Sequence, residues 1–263
     1  MPTASNGGVS LYYETDGDGE TVAFVGDAGY GGWQWGWQYG AVTGPFQSLV
    51  YDHRGTGRSD TPGGPYSVGL LTQDFECVLA DAGIGSAHVV GAGLGGMVAL
   101  QAALTTQRVE SLALFGTAAS GAGLDLDPLY ADPGDRDALH AATEAAVGER
   151  FRERHPDAID RIAHWRSEED AGPTGWEAQT AAVADFDVRD RLYEITQPAL
   201  VCHGTEDAVW PVERGEALAE DLPRGEFHAL EGGGHLAHAE QSKVVEDYLL
   251  AFLGEQADAE WRS

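Results

Sequence analysis

Apolar and polar positions along this chain follow two different periods. Residues 9–14 (VSLYYE) alternate every second position, as an antiparallel edge strand does. Residues 21–25 (TVAFV) are continuously apolar, the pattern of a strand buried on both faces. Residues 47–52, 87–90, 110–115, 198–203 and 225–230 read as further short strands, the run at 87–90 ending in two β-branched residues. Between them lie stretches with helical spacing or composition at 67–82, 97–104, 212–221 and 242–253. Ser67 is placed to cap the first of these, and Gly83 to end it. Residues 118–195 differ in kind. Charge and alanine rise, helix formers fill 136–164 and 176–195, and no strand pattern interrupts them.

Strands alternating with helices predict an α/β fold built on a doubly wound, mostly parallel sheet. The helical block then reads as a cap of residues 118–197 inserted into a core of residues 1–117 and 198–263. It is expected over the carboxyl edge of the sheet, where sites in such folds lie, with Trp165, Trp176 and Phe186 turned inward. There are no internal repeats and no low-complexity linker.

Charge narrows the function classes. Of 263 residues, 43 are acidic and 15 basic, a net charge of −28, and Lys243 is the sole lysine. Such a surface repels nucleic acid and anionic lipid, which leaves a small molecule as the expected partner. At molar salt the screening length falls to about 3 Å, so the acidic coat is expected to belong to a halophile whose protein folds only at high salt. No apolar stretch reaches membrane-spanning length, and the first residues show no basic region followed by an apolar run. A cytoplasmic protein, monomeric or homodimeric, is the expectation. Cys77 and Cys202 fit no metal or redox spacing and read as free thiols, so neither metal nor cofactor is expected.

The chemistry gathers around Gly91-Ala92-Gly93-Leu94-Gly95-Gly96, a sharp glycine turn between strand and helix. It resembles the nucleophile elbow of α/β-hydrolases, G-x-S-x-G, with one departure: the position of the serine is Gly93. The run Asp52–Asp60 (DHRGTGRSD), the segment 175–186, the stretch HGTEDAVWP from His203 and the stretch LEGGGH ending at His235 extend the resemblance over residues 8–254. The nearest likeness is to 3-oxoadipate enol-lactonase-like hydrolases. That resemblance implies Asp207 as the catalytic acid, His235 as the catalytic histidine and the backbone N–H groups of Ala28 and Leu94 as oxyanion donors. It also shows a second departure, because Gly26-Asp27 stands where the family usually carries His-Gly. Two departures around one site favour a natural sequence over an engineered knock-out.

Each candidate has a bland reading beside the functional one. His235 and Asp207 form a base and its orienter, or only hold their loops together. Asp27 reads as a turn former pointing away from the anion hole; pointing in, it would be a second acid or base with a pKa raised by burial. Tyr30, Trp33 and Trp210 are candidate pocket residues, although packing is the commoner fate of the aromatics at 30, 33, 35 and 37. His53 and His203 read as structural histidines, and Ser120 and Cys202 as stray nucleophiles away from any elbow. Losing the serine of such a unit costs about 10⁶ in turnover, so an efficient serine esterase is excluded. The favoured reading is an enzyme in which the His235/Asp207 pair acts as general base on water or on an acidic proton of a small, partly apolar carbonyl compound. The alternative is a non-catalytic ligand-binding pseudoenzyme in which Gly93 enlarges the pocket. Under the enzyme reading Gly93→Ser is expected to create weak esterase activity.

Overall fold

The computed structural model describes residues 2–260. Met1 and residues 261–263, which the expected core unit includes, lie outside the described residues. The strands are β1 Thr3–Asn6, β2 Val9–Asp16, β3 Thr21–Val25, β4 Gln47–Tyr51, β5 Ala87–Ala92, β6 Val109–Phe115, β7 Ala199–Gly204 and β8 Gly225–Leu230. They form one sheet in the order β1-β2-β4-β3-β5-β6-β7-β8. β1 and β2 pair antiparallel, as do β2 and β4, and the remaining pairs are parallel. β1 was not expected; TASN has no apolar alternation, and what fixes it is its register on β2, Thr3 opposite Tyr12.

The helices are α1 Gly36–Val42, α2 Val68–Asp81, α3 Leu94–Thr105, α4 Arg136–Ala145, α5 Glu149–Arg154, α6 Pro156–Glu169, α7 Pro173–Ala184, α8 Val212–Asp221, α9 Ala237–Glu240 and α10 Ser242–Glu260. Ser67 caps α2 as its sequence predicts, accepting the Leu70 N–H at 3.2 Å. Sheet residues alternate between two apolar layers. Ala23, Val25 and Val89 face the core that holds α2, α3 and α8, while Val22, Phe24 and Val90 face the layer of α1 and α10. α3 is apolar nearly all round and buried over most of its length, as a helix enclosed by other elements must be.

The helices α4–α7 occupy the stretch expected to be helical. Trp176 and Phe186 are buried, and Trp165 is half-buried against Trp37 with ring centroids 5.7 Å apart. The three tryptophans 33, 35 and 37 do not share a face, because the chain winds there instead of extending. Trp33 packs on Tyr30, Trp35 enters the opposite layer beside Phe24 and His238, and Trp37 meets Trp165. Among the described residues, no helix is long and apolar enough to cross a membrane.

Candidate active site

Register explains why residues distant in sequence meet. Val25, at the end of β3, pairs with Gly91 of β5, and Phe115 of β6 pairs with both Ala92 and Cys202 of β7. The loops leaving β3, β5, β7 and β8 therefore emerge side by side at the carboxyl edge of the sheet, carrying Asp27, Gly93, Asp207 and His235.

The elbow is intact. Gly93 adopts φ +47°, ψ −114°, a conformation that side-chain-bearing residues rarely take, and every positive φ among the described residues belongs to glycine. Its N–H donates to the Phe115 carbonyl at 3.0 Å, and its carbonyl accepts the Thr117 hydroxyl at 2.6 Å. The turn also lies so close to β3 that a Cβ at Gly95 would collide with the Val25 and Gly26 carbonyls.

Asp27 points into the site, which corrects the turn-former reading. A Cβ placed on Gly93 would overlap the Oδ1, Cγ and Oδ2 atoms of Asp27, so the carboxylate fills the volume of an elbow side chain. Oδ1 accepts the Leu94 N–H at 2.7 Å and the Ala28 N–H at 2.6 Å. These are the two N–H groups expected to receive an oxyanion, and both converge on one oxygen of the protein itself. Oδ2 accepts from His235 Nε2 at 2.6 Å, while His235 Nδ1 donates to Asp207 Oδ2 at 2.8 Å. Asp207 Oδ1 in turn accepts the N–H groups of Val209 and Trp210 at 2.9 and 2.8 Å. Asp27, His235 and Asp207 thus form one chain, with 1%, 6% and 8% of their surfaces exposed. That burial makes each contact worth more than it would be in water.

The imidazole is held between two carboxylates. Burial alone would lower its pKa; the charge and hydrogen bond of Asp207, followed by those of Asp27, outweigh it and push His235 up to about 10. At neutral pH the ring is therefore an imidazolium donating at both nitrogens, and it is not a free base while Asp27 is ionised. Asp207 is held below the usual carboxylate range: burial opposes this, and the charge and hydrogen bonds of His235 and His203 prevail. A Gly93→Ser substitution acting alone would collide with Asp27, so the expected esterase cannot arise from that change by itself.

The loop that carries Asp27 is braced by residues that sequence reading missed. Gln179 of α7 accepts the Gly29 N–H at 2.7 Å and donates to the Arg54 carbonyl and the Thr56 hydroxyl. Asp170, just beyond α6, accepts the Trp33 indole N–H at 2.7 Å and pairs with the buried Arg166 at 2.7 Å. The Arg166 guanidinium lies 4.7 Å over the Tyr30 ring. A signal was available: Arg and Asp at i, i+4 on a helix can pair on one face. Glu240 of α9 accepts the Gly234 N–H beside His235 at 2.8 Å and the Gly148 N–H at 3.0 Å. Burial, only partly offset by those N–H groups, raises its pKa to about 7.

Of the remaining candidates, His203 and Trp210 touch the end of this chain at Asp207, His203 Nε2 lying 3.5 Å from Oδ2. His53 Nε2 donates to the Gly26 carbonyl at 2.9 Å and His203 Nε2 to the Trp210 carbonyl at 2.7 Å, both serving loop geometry. Trp210 stacks on His235, centroids 6.2 Å apart at 15°, and among the described residues its indole N–H has no hydrogen-bond partner; nor has the Tyr30 hydroxyl. Ser120 is buried away from the elbow, bridged to Asp187, and Cys202 lies in β7 with burial pushing its thiol up to about 12.

Comparison with known proteins places this fold among its relatives. The chain is 31% identical to a protein named for a carbamate hydrolase role, RutD of Azorhizobium caulinodans, covering 97% of this chain and 99% of that one. It is 28% identical to 3-oxoadipate enol-lactonase 2 of Acinetobacter baylyi, over 90% of each. The crystal structure of the enol-lactonase from Burkholderia xenovorans LB400 superposes with a TM-score of 0.82 at 25% identity, covering 96% of this chain and 100% of that one. The profile of the alpha/beta hydrolase fold matches residues 28–242, and with an intact elbow at the edge of an eight-stranded, mostly parallel sheet the chain belongs to the α/β-hydrolase family.

Proposed function

We propose that this protein hydrolyses a small, partly apolar lactone, ester or carbamate without a serine, using Asp27, His235 and Asp207 in its place. One observation carries the reading: the Asp27 carboxylate joins the two expected oxyanion donors to the His235–Asp207 pair in a single buried chain. Nucleophile, histidine and orienting acid in hydrogen-bond sequence is the arrangement that activates a side chain or a water for attack. The elbow serine is dispensable here because its space is already occupied by an oxygen-bearing group. His235 keeps its role in proton transfer, with one change from the sequence-based expectation: it starts protonated and becomes a base only after the charge on Asp27 is discharged.

The expected test is a screen of lactones, enol esters and carbamates at molar salt. His235→Ala is expected to abolish turnover of any substrate found, and Asp207→Asn to lower it by about 10⁴ through loss of the correct tautomer. A fluorophosphonate is expected not to label the protein, since no elbow hydroxyl exists. The same carboxylate also supports a second reading, a ligand binder whose anion hole is permanently filled. A tight ligand whose affinity is indifferent to His235→Ala, with no turnover across the screen, would establish that reading in place of ours. The acidic coat supports a cytoplasmic protein adapted to high salt, a monomer or homodimer; equal stability at low and molar salt would remove the halophile part.

A further inference from the structure

We propose that Asp27 is the covalent nucleophile of this site, and that it attacks the saturated carbon bearing the ring oxygen of a small strained lactone rather than the lactone carbonyl. This rests on the hydrolytic reading above and specifies which bond breaks. The argument begins with the anion hole. Attack at a carbonyl creates an oxyanion that needs those N–H donors, and losing one such donor costs about 10²–10³ in turnover. Here Ala28 N and Leu94 N are both committed to Asp27 Oδ1. A lactone carbonyl therefore finds neither of these two N–H groups free. Attack at the saturated carbon creates no oxyanion, because the leaving group is the lactone's own carboxylate.

The same placement prepares the second step. Once Oδ2 is alkylated, Oδ1 becomes the carbonyl oxygen of an ester already seated on both N–H groups. The steps balance as follows. An Oδ2 lone pair forms the new C–O bond, and the ring C–O bond breaks with its electrons passing to the departing carboxylate. Asp27 is now neutral, His235 loses one of the two charges that hold its proton, and that proton passes to solvent. Neutral His235 takes a proton from water as the water oxygen attacks Asp27 Cγ, and the oxyanion develops on Oδ1. Collapse breaks the Cγ–Oδ2 bond. Oδ2 leaves in the product as its hydroxyl, protonated by His235, and the proton of the new Asp27 carboxyl group restores the imidazolium. The sum is lactone plus water giving a hydroxy acid anion and one proton.

The test uses (R)-β-butyrolactone in heavy-oxygen water at molar salt, with enzyme in excess for a single turnover. The expected product is (S)-3-hydroxybutyrate, inverted and unlabelled, with the heavy oxygen found in the peptide containing Asp27. His235→Gln is expected to accumulate an adduct of one lactone mass on that peptide, and Asp207→Asn to accumulate it more slowly should the first variant not fold. Retained configuration with label in the product carboxylate would mean water attacks the carbonyl; the proposal would fall and the hydrolytic reading would stand. No consumption above the uncatalysed rate, with no adduct on Asp27 in any of the three proteins, would overturn both.

Discussion

The two ends of the sheet hold similar residue types and put them to different use. At the amino end, Ser111 of β6 lies 2.8 Å from His88 Nδ1, and His88 Nε2 lies 3.6 Å from Glu20. By residue type this is a serine, a histidine and an acid, beside a cavity of about 420 Å³ lined by Glu20, Gln47, His88 and Glu110. Yet Ser111 sits opposite His88 inside the β5–β6 ladder, 1% exposed, with no sharp turn to present it. Within the ladder the N–H groups on either side of Ser111 serve sheet pairing and do not converge on one point. At the carboxyl end the elbow carries no serine, but a carboxylate occupies the volume of its side chain, two N–H groups converge on it, and an imidazolium bridges it to a second acid. Chemistry follows from how the groups are presented and which donors are left free to converge; the inventory of residue types does not decide it.

Five measurements would break or sharpen this contrast. The largest effect is expected for Asp27→Asn, which keeps the shape but presents an amide to His235 or to the anion hole; turnover should fall by about 10⁴ or more, as for a disabled member of such a unit, with the circular dichroism spectrum unchanged. Next, Gly93→Ser alone should yield no fluorophosphonate labelling, whereas Gly93→Ser with Asp27→Gly should become labelled, because the space and the anion hole are then released together. Third, Arg166→Met strips the buried Asp170 of its partner and should cost about 3–5 kcal/mol in denaturant unfolding, loosening the Asp27 loop through Trp33. Fourth comes pH. His235 has its pKa raised in the fold, so the stability it confers is complete below its ordinary value near 6.5 and is lost as pH rises toward about 10. Unfolding followed from pH 6 to 10.5 should show that loss, and a smaller one in Asp27→Asn. The smallest effect is expected at the amino end: Ser111→Ala should cost about 1 kcal/mol, one hydrogen bond, and leave turnover within twofold. A large loss of activity there would move the site to the other edge of the sheet.

Most of the fold was legible in the sequence because apolar runs and turn glycines act locally. The strands at 21–25 and 225–230 match their expected limits, and the Ser67 cap is where its spacing puts it. The order elbow, Asp207, His235 came from the family resemblance, which could be seen because each motif is a short contiguous stretch. What escaped depends on groups far apart in sequence. The direction of Asp27 is decided by the Leu94 N–H, 67 residues on, and by His235, 208 residues on. No window along the chain contains all three. The second carboxylate on His235 escaped for the same reason: Asp207 lies 28 residues before it and Asp27 lies 208 before it. The packing expected of the aromatics at 30, 33 and 35 is what the structure shows, all three being buried.

The overlap between Gly93 and Asp27 also constrains how such a chain can change over time. Each residue makes sense only in the presence of the other. A serine cannot be regained at position 93 while the carboxylate stands in its space, and losing the carboxylate first leaves an elbow with no reactive group at all. On the proposed reading, every single-substitution route to a serine elbow therefore passes through a variant with neither a seated serine nor its replacement. The pair behaves as an epistatic lock. Position 27, in a loop that pattern searches centred on the elbow serine pass over, is where related chains of the same kind can be recognised: an aspartate there should accompany glycine at the elbow.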